Sequence, residues 1–215
     1  MLNNNSFSWK LYDKAPIVGI IRGQSLETTL AIVKSYLEAG FYTIEVTMNT
    51  PDAEKIIATL VTNFPELNVG AGTVCNKEDL EKALNAGSQF IVTPIIDEEI
   101  IKTCVSRKIP IFPGAFTPTE IYKAWSLGAS AVKIFPATQL GVTYIKDVLG
   151  PLNTIKLLPT GGVSKENIKS FFDVGVVGVG MGSSLLDKNL IKNNDFEGLK
   201  NHFISIKKEI ENYIK

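Results

Sequence analysis

The 215 residues carry 22 basic and 22 acidic side chains, one histidine and two cysteines, and 45% of them are hydrophobic. A chain of this size and composition buries a substantial core, so disorder, a collagen-like repeat and a disulfide-stapled miniprotein are excluded. A formal net charge of zero with only two arginines, Arg22 and Arg107, leaves no basic stripe for a nucleic acid or an anionic membrane, so any bound anion is expected to be small and held locally.

Along the chain, the segment from Met1 to Lys10 is too polar for a secretory leader, and the longest apolar runs have strand length, not membrane-span length. A cytoplasmic protein with no membrane partner is expected. A first strand-like run, Ile17 to Ile21, is followed by an amphipathic stretch from Leu26 to Ala39 behind the cap Ser25. The same alternation continues with a strand at Thr43 to Thr47, a helix at Pro51 to Asn63 opening on Thr50-Pro51, a strand at Asn68 to Ala71 and a helix at Lys77 to Ala86 behind Asn76. Strands at Phe90 to Val92 and Ile109 to Phe112 flank a helix at Asp97 to Arg107, and Thr117-Pro118 opens another. Strands at Ala131 to Ile134, Thr154 to Leu158 and Val176 to Met181 complete the series, with a helix from Ser164 to Val174 before the last of them. Helical spacing from Leu199 to Ile214 holds the lone histidine, His202, at a surface or edge position, which deprives Ser-His-Asp and Cys-His schemes of their base. Cys75 and Cys104 fall in unrelated segments without a CxxC pair, so neither zinc nor a disulfide framework is suggested.

Strand-then-helix alternation predicts a parallel sheet. Gly40, Gly87, Gly128 and Gly175 each end a helix shortly before the second, fourth, sixth and eighth strand, and Pro16, Pro65, Pro110 and Pro151 precede the other four. Their spacings of 41 to 49 residues define a repeating unit of two strand–helix modules. Four units predict an α/β fold of the (β/α)8 TIM-barrel type, one domain over residues 1–215 with a short N-terminal extension and a C-terminal helix. An open doubly wound sheet is the alternative, but the first strand–helix turn lacks a GxGxxG dinucleotide fingerprint.

The repeat also aligns side chains. Five residues past each glycine stand Glu45, Val92, Lys133 and Gly180, which should share one interior layer; seven past stand Thr47, Pro94, Phe135 and Gly182, the next layer toward the C-terminal mouth. Lys133 interrupts an apolar strand and is directed inward. A structural ion pair with Glu45 is one explanation, although such pairs are often no better than packed hydrophobes. The chemical explanation is a nucleophilic amine: burial favours the neutral form, which attacks a ketone to give a carbinolamine and then an iminium, while Glu45 moves protons. Lys156, a rival strand lysine, belongs near the bottom of the barrel. Glycine-rich strand ends at Gly161-Gly162 and at Gly182-Ser183 occupy the two strands whose loops bind phosphate in barrels, against the alternative of ordinary tight turns. Arg22 at the end of the first strand suits a carboxylate, against the alternative of a solvated loop charge; Arg107 complements a helix C-terminus. Phe135 and Pro94 are core residues or the apolar wall of a site.

Taken in order, Glu45-Val46-Thr47, Gly70-Ala71-Gly72-Thr73-Val74, Thr93-Pro94, Pro113-Gly114, Lys133-Ile134-Phe135-Pro136-Ala137, Pro159-Thr160-Gly161-Gly162 and Gly182-Ser183 resemble the 2-keto-3-deoxy-6-phosphogluconate (KDPG) / 4-hydroxy-2-oxoglutarate (KHG) aldolase family of class I pyruvate aldolases. The resemblance spans roughly Pro16 to Leu186. It implies Lys133 as the Schiff-base lysine and Glu45 as the general acid and base. It further implies Thr73, Pro94, Phe135 and Thr160 as the lining of a pyruvyl pocket, and Gly161, Gly162, Gly182 and Ser183 as holders of a distal phosphate. A small-molecule substrate (a 2-keto acid and a phosphorylated aldehyde), no metal or other cofactor, no nucleic acid and a homotrimer are implied in the same way. One departure concerns Glu45-Val46-Thr47-Met48-Asn49-Thr50, where phosphogluconate-type members carry arginine at the position of Asn49. Arg22 together with Asn49 resembles the 6-phosphogalactonate branch, whereas Thr160 resembles the phosphogluconate branch. A phosphosugar isomerase or epimerase, and a non-catalytic pyruvate- or phosphosugar-binding barrel, stand beside the aldolase as alternatives.

Overall fold

The structure, a computed structural model, describes residues 6–214; the first five residues of the polar N-terminal stretch lie outside it, as does residue 215. A short helix α1 (Trp9–Asp13) precedes the strands β1 (Ile17–Ile21), β2 (Thr43–Thr47), β3 (Asn68–Gly72), β4 (Ile91–Val92) and β5 (Ile111–Phe112). Between these lie α2 (Leu26–Glu38), α3 (Ala53–Asn63), α4 (Lys77–Asn85) and α5 (Glu98–Ser106). The second half holds β6 (Gly114–Ala115), α6 (Pro118–Ser126), β7 (Val132–Ile134), α7 (Gly141–Leu149), β8 (Leu157–Pro159), α8 (Ile168–Asp173) and β9 (Val179–Met181). Two helices, α9 (Lys188–Lys192) and α10 (Phe196–Lys208), and a 3-10 turn at Glu211–Tyr213 close the described chain.

Strands β5-β4-β3-β2-β1-β9 form one curled, wholly parallel sheet, and β6-β7-β8 a second parallel one. Only Pro113 separates β5 from β6: it has no N–H to give a ladder, but its carbonyl accepts from the Lys133 N–H at 2.9 Å. Just beyond β8, Thr160 makes a parallel bridge to Gly180 of β9.

The helix-stop glycines behave as the repeat predicts. Gly40, Gly87, Gly128 and Gly175 all have φ between +80° and +98°. At the first of them the Gly40 N–H donates to the Leu37 carbonyl at 2.9 Å and the Phe41 N–H to Tyr36 at 3.1 Å, the paired bonds of a Schellman motif. Ser25, Asn76 and Thr117 cap their helices as expected, Thr117 through a reciprocal capping box with Glu120.

Several boundaries differ from the sequence expectation. The strand expected at Ile109 to Phe112 is regular only from Ile111, a further short strand β6 that the sequence did not suggest follows Pro113, and the runs at Thr154 and Val176 become regular strands only at Leu157 and Val179. Helix α8 starts at Ile168, not Ser164, because the Ser164 N–H donates to Asn167 Oδ1 and its hydroxyl to Glu166 in a local turn. Thr50 does not cap α3: its hydroxyl accepts from the Gly23 N–H at 3.0 Å and lies 3.0 Å from Thr47 Oγ1. The terminal helix begins at Phe196 and ends at Lys208, short of Ile214.

The period of two along each strand sorts side chains into two cores. Ile17, Ile21, Ile44, Val46, Val69, Ile91, Val132, Leu157 and Val179 pack outward under the helices. Val18, Phe90, Val92, Phe112, Ala131 and Leu158 point to the opposite, inner face, where Phe7 and Tyr12 join them. The N-terminal segment is anchored there by Asn68, which accepts from the Ser8 N–H at 2.8 Å and donates to its carbonyl at 2.9 Å. Among the described residues, no helix is long and apolar enough to cross a membrane.

Candidate active site

Glu45 is the middle residue of β2, in register with Ile20 on β1 and Gly70 on β3; Lys133 is the middle residue of β7, in register with Gly114 and Leu158. Both belong to the inner-facing set of their strands. Their residual exposures, 2% for Glu45 and 5% for Lys133, put two ionisable groups inside an apolar interior, where they are rare. Gly72 makes this possible on the β3 side, since a Cβ there would stand 2.3 Å from Glu45 Oε1. A narrow cavity is lined by Glu45, Val92, Lys133 and Gly180, the four positions that the repeat aligns, together with Val18, Ile20, Phe112, Leu158 and Thr160.

Burial dominates the ionisation of both groups. It raises the Glu45 pKa above the ordinary carboxylate value, opposed by the positive charges of Lys133 and Arg22. It lowers the Lys133 pKa, opposed by Glu45 and assisted by Arg22. Among the described residues no ion pair joins the two side chains. The Lys133 nitrogen instead lies 4.7 Å from the centroid of the Phe135 ring. Both shifts push toward neutral forms, an amine with a free lone pair and a carboxyl that holds a proton to give.

A second, wider cavity of about 360 Å³ shares Ile20, Thr160 and Gly180 with the first. Of the residues singled out from sequence it collects Arg22, Phe135, Thr160, Gly161, Gly162, Gly182 and Ser183. Gly161 and Gly162 both have positive φ, and a Cβ at Gly162 would approach the Thr138 Cα to 2.8 Å, so this loop presents bare backbone. Ser184, the end of the glycine-rich run after the last strand, lines the same cavity, as do Gln24, Val163, Leu186 and Lys188, which sequence reasoning passed over. Lys188 begins a five-residue helix in a run of polar residues, so nothing in the local pattern marks it. The Ser184 hydroxyl donates to the Val163 carbonyl at 2.5 Å, and His202 Nε2 lies 2.9 Å from the Ser184 carbonyl, which gives the lone histidine a place behind the loop.

The remaining candidates are less central. Thr73, half-buried with φ 57°, accepts from Arg22 Nη2 at 3.4 Å and so steadies the guanidinium. Pro94 and Thr47 line neither cavity; Pro94 packs its backbone where a Cβ on Gly114 would sit, 2.4 Å away. Asn49 is exposed in the turn after β2 and also lines neither. Lys156 is exposed and precedes β8, at the opposite end of the strand from the site. The partly buried Cys75 is near enough to Lys133 for each charge to affect the other's ionisation.

Residues 10–201 match the family model described as Aldolase: KDPG and KHG aldolase. The Escherichia coli (strain K12) 2-dehydro-3-deoxy-6-phosphogalactonate aldolase is 37% identical over 174 residues, covering 80% of this chain and 85% of the relative. A solved structure described as native KDPGal superposes with a TM-score of 0.87 at 31% identity, over 97% of this chain and 98% of the other. The KDPG aldolase from Legionella pneumophila, solved with pyruvate captured as a covalent carbinolamine, gives 0.85 at 27% identity, over 91% and 96% of the two chains. Fold and site therefore define an aldolase, a carbon–carbon lyase. The chain belongs to the KDPG and KHG aldolase family.

Proposed function

We propose that this aldolase reversibly cleaves 2-keto-3-deoxy-6-phospho sugar acids to pyruvate and glyceraldehyde 3-phosphate through a Schiff base on Lys133, and also cleaves 4-hydroxy-2-oxoglutarate to pyruvate and glyoxylate. The observation that carries this reading is a buried lysine and a buried carboxyl lining one narrow space, next to a wider cavity lined by glycine-rich loops. The neutral Lys133 amine attacks the substrate C2 carbonyl, and the carbinolamine loses water to become an iminium. Removal of the C4 hydroxyl proton then breaks the C3–C4 bond. The electron pair passes into the iminium, the aldehyde leaves and an enamine remains. Protonation at C3 and hydrolysis release pyruvate and regenerate the amine. Glu45 is the group that moves these protons.

In this reading Arg22 pairs with the substrate carboxylate, Thr73 and Asn49 support that end, and Phe135, Pro94 and Thr160 enclose the pyruvyl group. Backbone at Gly161, Gly162 and Gly182, with Ser183, receives the phosphate. The Legionella relative's captured pyruvate supports the covalent step. A preference for the 6-phosphogalactonate epimer is favoured by the similarity to the Escherichia coli enzyme of that name and by Arg22 with Asn49. The two sheets are read as one (β/α)8 barrel in a single domain, supported by the Pro113 junction and the Thr160–Gly180 bridge. Homotrimeric assembly is carried over from the resemblance.

Borohydride with pyruvate tests the central step. Reduction of the iminium is expected to fix a pyruvyl-derived mass on Lys133, located by peptide mass spectrometry, and Lys133→Ala is expected to be neither labelled nor active. Labelling elsewhere, or cleavage that survives in Lys133→Ala, overturns the assignment. A panel of the two C4 epimers and 4-hydroxy-2-oxoglutarate ranks the substrates.

A further inference from the structure

We infer that Lys188 is a specificity-determining residue, which selects phosphorylated over unphosphorylated aldehyde partners by pairing with the distal dianion. The inference rests on the aldolase reading of the same cavity. The chain as a whole has zero formal charge, yet the side chains lining the wider cavity include two cations, Arg22 and Lys188, and no carboxylate. An excess of one sign in a concave site attracts small ions of the opposite sign.

The two cations are attached to different parts of the wall. Arg22 follows β1 and is fastened to Thr73, and its charge influences both Glu45 and Lys133, so it belongs to the reacting end. Lys188 is exposed and follows the Gly182–Ser184 loop after β9. Among the described residues it takes part in no ion pair. Its neighbour Asp187 is occupied: Oδ1 accepts from the Asn189 and Leu190 N–H groups at 2.8 and 3.0 Å. An uncommitted ammonium thus stands beside bare glycine backbone, whose amides place a phosphate geometrically but bring no net charge. A lysine supplies that charge as a mobile point, which suits a phosphate group more than a planar carboxylate.

The test compares Lys188→Met and Lys188→Arg with the unaltered enzyme in the condensation direction. With glyceraldehyde 3-phosphate, Lys188→Met is expected to raise KM about three- to fivefold, the loss of one solvent-screened charged contact, and to weaken competitive inhibition by inorganic phosphate similarly. The KM for pyruvate and the kcat/KM for glyoxylate, which has no phosphate, are expected to stay unchanged, and Lys188→Arg to restore the phosphorylated aldehyde. The contrast should shrink as ionic strength rises. Equal losses with both aldehydes, or no change with either, overturn the inference while the aldolase reading stands. Failure of borohydride and pyruvate to label Lys133 in the unaltered enzyme overturns that reading, and this inference with it.

Discussion

The inner faces of the two sheets carry an aromatic cluster at one level and two buried ionisable groups at another. On the N-terminal side of this interior Phe7, Tyr12 and Phe90 cluster, with the Phe7 and Phe90 centroids 5.3 Å apart in edge-to-face contact, and Phe112, at the end of β5, joins these rings to the space around Glu45 and Lys133. The same interior holds Glu45 and Lys133, and a wider cavity of about 360 Å³ shares Ile20, Thr160 and Gly180 with the space around them. The aromatic cluster gains stability from burial, whereas burying Glu45 and Lys133 costs stability and shifts both toward their neutral forms.

Replacing an ionisable group tests this division most severely. Glu45→Gln keeps the shape and removes the group proposed to move protons, and a fall in kcat of about 10²- to 10⁴-fold is expected in steady-state cleavage assays. Stability should respond in the opposite sense. With the folded-state pKa of Glu45 raised, the unfolded chain loses its proton first, so stability falls as pH climbs from the ordinary carboxylate value through the folded one. With that of Lys133 lowered, the folded state loses its proton first, so stability rises with pH between the folded value and that of a free lysine. Urea denaturation across this range should show the acid-side fall in the unaltered protein and its loss in Glu45→Gln. A fall that persists in the variant would assign it to other carboxyls.

The aromatic cluster should break differently. Phe90→Ala empties a fully buried site against the rings of Phe7 and Phe112, and a loss of about 3–5 kcal/mol is expected from urea denaturation. Pyruvate labelling of Lys133 should survive in whatever fraction stays folded. If labelling is lost while the protein remains folded, the aromatic cluster also sets the geometry of the amine, and the two levels are not independent.

Much of this division is legible before any coordinates. Glycines that end helices at regular spacing carry the register, and counting from them places Glu45, Val92, Lys133 and Gly180 on one cavity, because a strand's period of two is rigid. The count weakens one layer higher. Phe135 and Gly182 face the wider cavity, but Thr47 turns to Thr50 and Pro94 lines neither space, since the strands have ended and loop geometry governs. Lys188 and Gln24 sit in loops or at a short helix start with no periodic signal. Ser164 and Thr50 show the same limit on capping: each is a cap by residue type, but a neighbouring side chain or backbone group takes the hydroxyl first. The aromatic cluster escapes sequence reading because Phe7 and Phe90 are far apart in the chain and no local pattern pairs them.

The smallest expected effect divides the site itself. Arg22 is exposed, yet its charge is felt at both Glu45 and Lys133, and its guanidinium is fixed by a 3.4 Å hydrogen bond to Thr73. If it holds the carboxylate that accompanies the reacting ketone, Arg22→Ala should raise the KM for pyruvate about tenfold and leave that for glyceraldehyde 3-phosphate nearly unchanged. Thr73→Val, which removes the acceptor but not the charge, should produce a weaker version of the same split. Equal effects of Arg22→Ala on both substrates would make the arginine a general attractor of anions. The carboxylate would then have to be held by backbone at the strand ends, with the exposed Asn49 the remaining side chain in that turn to be tested.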